Sequence, residues 1–148
     1  NAGVFGPRDQ SLGTITREQW LEVLNVNSIA PLMLAQALYA NLVATKGTFA
    51  IISSKVGSIE DNQGGSLYLY RSSKTAVNQV VKSLSIDLAG QGITVVALHP
   101  GWVRTDMGGP NGLIDTPTSA NGLRQVLGSL THSDTGRFIN YDGTEIPW

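Results

Sequence analysis

Cysteine is absent from all 148 residues, which excludes a disulfide framework and any thiolate metal site. Histidine occurs only twice, at His99 and His132, too far apart in sequence for a local ligand pair, so no metal is expected. Charge is scarce as well. Charged residues make up 14% of the chain and the formal net charge is −1, with the ten basic residues scattered singly. That distribution gives no reason to expect nucleic acid or an anionic lipid surface. No uninterrupted apolar run reaches the length of a membrane span, because Pro31, Gln36 and Asn41 break the segment 29–43. No basic-then-apolar leader opens the sequence. These absences fit a cytoplasmic protein with no membrane partner. What is there is 41% hydrophobic residues, the composition of a globular chain long enough for one real core.

The pattern of apolar residues alternates between two periods. Residues 16–42 read as one long amphipathic helix, with Thr16 as cap, Glu18 and Glu22 in the first turns, and Trp20, Val23, Leu24, Leu34, Leu38 and Leu42 at helical spacing. Pro31 in its middle should kink or split it. Lys46-Gly47 stops it, and residues 48–52 read as a buried strand. Residues 53–66 form a loop, 67–89 a second long helix striped by Val77, Val80, Val81, Leu84 and Leu88, and 93–98 another buried strand stopped by Pro100-Gly101. The Gly- and Pro-rich segment 107–117 is expected to be mobile, followed by a short helix at 119–130 and a last strand at 136–140. Strands alternating with helices of this length predict an α/β fold, a parallel sheet with helices on both faces. Ligands on such sheets bind beyond the C-terminal strand ends.

Tyr70 and Lys74 stand four residues apart on the second helix, and so on one face. A free phenol, with a pKa near ~10, is a poor proton-transfer group at neutral pH. A nearby ammonium favours the ionised form and brings the phenol into a usable range for general acid–base work. Tyr68 competes locally, but only Tyr70 has a lysine four residues on.

Further segments fall in a telling order: Asn1-Ala2-Gly3, Asn27 in Leu-Asn-Val-Asn, Ser53-Ser54 after the first strand, Tyr70-Arg-Ser-Ser-Lys74, and Pro100-Gly101-Trp102-Val103-Arg104-Thr105. Taken together they resemble the short-chain dehydrogenase/reductase family. Gly57-Ser58-Ile59 with Asp61-Asn62 and the ending 141–148 resemble its carbonyl-reductase branch, often called sniffer-like or C-factor-like. The family's Gly-rich turn, which holds a dinucleotide pyrophosphate, lies before the Asn-Ala-Gly turn and is not in this sequence. The resemblance therefore implies the C-terminal portion of a Rossmann-type doubly wound sheet, without its first four strands, as part of one domain over 1–148.

It also implies roles. Tyr70 would transfer the proton, and Lys74 would lower its pKa and hold the nicotinamide ribose. Ser54 would orient the substrate oxygen, with Ser53 and Ser58 as rivals. Asn27, with Asn25 as its rival, would order a relay water. Pro100, Gly101, Val103 and Thr105 would meet the nicotinamide end of NAD or NADP, and Asn1, Ala2 and Gly3 the adenosine side. The implied partners are a small carbonyl or alcohol substrate and a second copy, docked through the two long helices. Two other readings stay open: a non-catalytic dimerising or scaffold fragment, and a dinucleotide-binding regulatory module without turnover.

Overall fold

The computed structural model describes residues 2–148. Helix α1 spans Arg17–Leu24 and opens on a reciprocal cap. The Gln19 amide donates to Thr16 Oγ1 and the Thr16 amide donates to Gln19 Oε1. The chain continues through one π-helical turn, Asn25–Ile29, into α2, Ala30–Thr45. Pro31 has no N–H to offer, and just before it the ladder slips by one residue, the Ala30 amide reaching the Asn25 carbonyl. The helix is thus continuous, and its irregularity lies ahead of the proline. Lys46 in the left-handed region and Gly47 end it.

Strands β1 (Thr48–Ile52), β2 (Thr94–His99) and β3 (Phe138–Asn140) form a parallel sheet in the order β1-β2-β3. Thr48 pairs with Thr94 and Ala97 with Phe138. Helix α3 (Tyr68–Asp87) connects β1 to β2, and α4 (Thr116–Ser129) connects β2 to β3. Alternating strand residues point to opposite faces. Phe49, Ile51, Val95 and Ala97 join Ala35 and Leu42 of α2 and Val77 and Val81 of α3 in one core. Val96, Leu98 and Ile139 meet Val126 of α4 in the other. Helices on both faces make this the Rossmann-type α/β arrangement expected from the sequence.

Three expectations are corrected. Segment 107–117 is fastened rather than mobile. The Arg104 amide donates to the Ile114 carbonyl at 2.9 Å, Arg104 Nη1 to the Gly112 carbonyl at 3.0 Å, and Trp102 Nε1 to the Gly108 carbonyl at 2.8 Å. Trp20, Leu34 and Leu38 do not enter the core and stay 43%, 49% and 39% exposed. The continuous 29-residue run Arg17–Thr45 is also long and apolar enough, by length and composition, to cross a membrane, because the π turn joins two segments that the sequence separates. Here it is docked on α3 through Asn27 and Ser28.

Candidate active site

The C-terminal ends of β1 and β2 open onto a cavity of about 880 Å³. Its walls include Ser54 after β1, Tyr70 at the start of α3, and Pro100, Gly101, Val103 and Thr105 after β2. Topology explains the convergence, since the chain leaves both strands at the same sheet edge.

Tyr70 is held by its ring and by its backbone. Its ring lies 4.9 Å from that of Phe5 at a 40° tilt. Its amide, an unpaired donor of the first helical turn, is accepted at 2.9 Å by Oε1 of Gln10. Gln10 is fully buried and also donates to the Phe5 and Pro7 carbonyls, at 2.8 and 3.0 Å. It ties the segment 5–10 to the helix that carries the phenol. Sequence reasoning missed it, and no local signal could have found it, because its partner lies 60 residues away.

Lys74 is 5% exposed. Its Nζ donates to the Ile52 carbonyl at 3.1 Å and lies 5.7 Å from the Tyr70 ring centroid. Burial lowers its pKa to about 8. The expectation that Lys74 depresses the Tyr70 pKa is not met in this structure. Burial pushes Tyr70 above its usual value, with the Ser54 side chain pulling the other way. The ammonium is directed at a backbone carbonyl and the ring face, where it does little for the hydroxyl.

The loop after β1 reaches this helix because Gly57 has no side chain. A Cβ there would come within 2.7 Å of Lys74 Cβ and 2.8 Å of its carbonyl carbon. Thr75 Oγ1 and Asn78 Nδ2 both donate to the Gly57 carbonyl. Ser53, the rival of Ser54, is committed elsewhere: its Oγ donates to Asn78 Oδ1 at 2.6 Å. Ser58 bonds the Trp148 carbonyl. Ser53 and Ser54 both line the cavity, and Ser54 is the one whose hydroxyl is left to Tyr70.

Asn27 is 2% exposed and is not on the cavity wall. Its side chain mimics a strand partner for Val4, accepting from that amide at 2.9 Å and donating to its carbonyl at 2.8 Å. It also donates to Ser73 Oγ at 3.0 Å, and Ser73 Oγ donates to the Tyr70 carbonyl. Its rival Asn25 is exposed and makes no such side-chain bond among the described residues. Asn27 therefore fastens the segment 2–5 to α3. A Cβ on Gly3 would lie 3.6 Å from Asn27 Oδ1 and 3.9 Å from Lys74 Nζ, so Gly3 sits beside the lysine while Ala2 is exposed. Asn1 lies outside the described residues. His99, which sequence reasoning treated only as a non-ligand, lines the cavity. Its Nδ1 is buried without a partner, and burial together with the Lys55 charge holds its pKa down at about 4.

A parallel α/β sheet with a cavity at the C-terminal ends of its strands is the arrangement in which doubly wound folds bind their ligands. The short chain dehydrogenase family model matches residues 1–113, and the chain belongs to that family. It is 39% identical over 149 residues to C-signal of Myxococcus xanthus, covering 100% of this chain and 89% of that protein. The structure of carbonyl reductase Sniffer of D. melanogaster superposes with a TM-score of 0.94 at 40% identity. An NADPH-bound carbonyl reductase from chicken fatty liver superposes with a TM-score of 0.91 at 36% identity. These relatives put the chain in the sniffer-like, C-factor-like branch. The match covers all of this chain but 64% of each of the two reductase chains.

Proposed function

We propose that this chain carries the proton-transfer half of an NAD(P)-dependent oxidoreductase acting on a small carbonyl compound or the corresponding alcohol. The observation that carries the reading is that Ser54 and Tyr70 meet on one cavity wall, with the buried Lys74 ammonium 5.7 Å from the Tyr70 ring centroid behind it. The residues present fit the nicotinamide end of a dinucleotide. Lys74 uses one of its three donors on Ile52, and Gly101, at φ +84°, keeps the strand end close to Ile114 and Tyr141 where a Cβ would collide. Lys74, Pro100, Gly101, Val103 and Thr105 would hold that end. The bound dinucleotide would supply the hydride for reduction, or accept it for oxidation.

The chain's own work is positioning and the proton. Ser54 donates a hydrogen bond that fixes the substrate oxygen within reach of Tyr70. Tyr70 Oη gives its proton to that oxygen as the carbonyl carbon is reduced. Its raised pKa keeps it protonated at neutral pH, which suits the reductive direction. Lys74 and Asn27 stand behind it as the route by which the phenol is reprotonated.

The test is NAD(P)H consumption with simple aldehydes and ketones by the full-length protein and its Tyr70→Phe variant. Turnover that the variant lacks supports the reading, and near-equal rates overturn it. A second reading, a non-catalytic dimerising scaffold, is favoured by one observation: the apolar side chains left exposed along α1 and α2. Cofactor titration of the 148-residue chain separates the two. The catalytic reading expects weak binding from it, because pyrophosphate binding needs a Gly-rich turn that this sequence lacks.

A further inference from the structure

We propose that the cavity selects carbonyl compounds that also carry a carboxylate, with Arg71 as the group that holds it. The inference rests on the oxidoreductase reading of the same cavity and narrows its substrate class.

The whole chain has a formal charge of −1, yet the cavity wall is basic. Arg8, Lys55 and Arg71 line it against a single carboxylate, Asp61, a surplus of two positive charges with His99 neutral. Lys55 is answered by Asp61 at 3.0 Å. Among the described residues neither Arg8 nor Arg71 forms an ion pair.

Arg71 differs from an ordinary solvated arginine in being pre-aimed. It follows Tyr70 directly on α3. Its Nε donates to the Gly65 carbonyl at 3.0 Å and its Nη1 to the Val56 carbonyl at 3.1 Å. Two backbone acceptors on the loop that follows Ser54 thus fix the plane of the guanidinium. Nη2 makes no hydrogen bond among the described residues. A guanidinium whose rotamer is already set loses little entropy when it binds an oxyanion, and it matches carboxylate geometry. Its two anchors belong to the Ser54 loop, away from Pro100–Thr105. That places it on the substrate side of the cavity, not with the proposed nicotinamide contacts. The other anion that could reach it is a dinucleotide phosphate, and the experiment separates the two.

The probes are 4-carboxybenzaldehyde and its neutral isostere 4-formylbenzamide, titrated calorimetrically into the full-length protein with and without saturating NADPH and assayed for turnover. The acid should bind about tenfold tighter at low salt, with the same preference in kcat/KM. Arg71→Gln, which keeps a side-chain N–H donor but no charge, should reduce the preference to within about twofold, and Arg71→Lys should keep part of it. Equal affinity for acid and amide, or a preference that Arg71→Gln leaves intact, overturns the proposal. So does a preference that vanishes once NADPH is bound, which assigns Arg71 to the cofactor. An acid preference in binding with neither aldehyde reduced supports the carboxylate site and overturns the reductase reading. Equal turnover of both does the reverse.

Discussion

Lys74 is where stability and chemistry conflict most directly. A lysine that is 5% exposed, with its pKa lowered from 10.5 to about 8, is destabilising while it is charged. Between about pH 8 and 10.5 the unfolded chain binds a proton that the folded chain does not, so stability rises with pH through that window. Below the folded pKa the whole cost is present, on the order of 3 kcal/mol at most. Lys74→Met should therefore stabilise the fold at pH 7 by about 1–2 kcal/mol, after the lost bond to the Ile52 carbonyl is counted. The gain should shrink toward zero at pH 10, as read by urea unfolding at both pH values. The same variant should lose turnover, the pattern of a residue kept for function against stability. Tyr70→Phe is its counterpart. It keeps the ring contact with Phe5 and should leave unfolding within about 0.5 kcal/mol. Turnover should fall by orders of magnitude, because the loss is felt in the transition state alone. A stability change above 2 kcal/mol would show that the hydroxyl is structural.

At the scale of elements, what positions the site is a set of long-range contacts to the first turns of α3. Gly57→Ala forces a methyl against Lys74 and should cost about 1–3 kcal/mol by overpacking. Because the strain falls on Lys74 and the Ser54 loop, kcat should drop further than stability alone explains, which thermal unfolding and kinetics on one preparation would show. Gln10→Ala leaves the Tyr70 amide and two carbonyls without their partner. It should cost about 1–3 kcal/mol, with Gln10→Glu restoring only the acceptor half. These contacts mark the limit of what was legible in the sequence. Period and punctuation placed β1, α3, β2, α4 and β3 to within a few residues, because each is set by local pattern and a nearby Gly or Pro. Spacing and order singled out Ser54, Tyr70 and the loop after β2, which the fold brings to one cavity wall. Three things were not. The slip to a π turn ahead of Pro31 depends on backbone bonding that periodicity does not see. The order of segment 107–117 comes from bonds across its own base, although its composition suggests mobility. The pKa of Tyr70 follows from burial and from where the Lys74 ammonium is directed, and neither can be read from a four-residue spacing.

For the whole molecule, the decisive fact is how much apolar surface stays open. Along the run 17–45, Trp20, Leu21, Ile29, Met33, Leu34, Leu38, Tyr39 and Val43 are all at least a third exposed. Exposed apolar side chains gathered on one helical run mark a surface for association. Strand β1 pairs only with β2, so its other edge keeps unpaired donors and acceptors among the described residues. The helical face and the open edge make different predictions for the 148-residue chain. If the helical face is the stronger driver, Leu34→Glu with Leu38→Glu should shift the species seen by sedimentation toward monomer, leaving α/β circular dichroism intact. If edge pairing dominates, that double variant should change nothing, and Ile52→Lys at the strand end should be the one that restores solubility. The helical face is expected to dominate. It offers Met33, Leu34, Leu38, Tyr39 and Val43 along α2, whereas β1 offers five residues and its side chains are already covered on both faces of the sheet. A double variant that still sediments as large aggregates would refute that ordering and assign self-association to the strand edge.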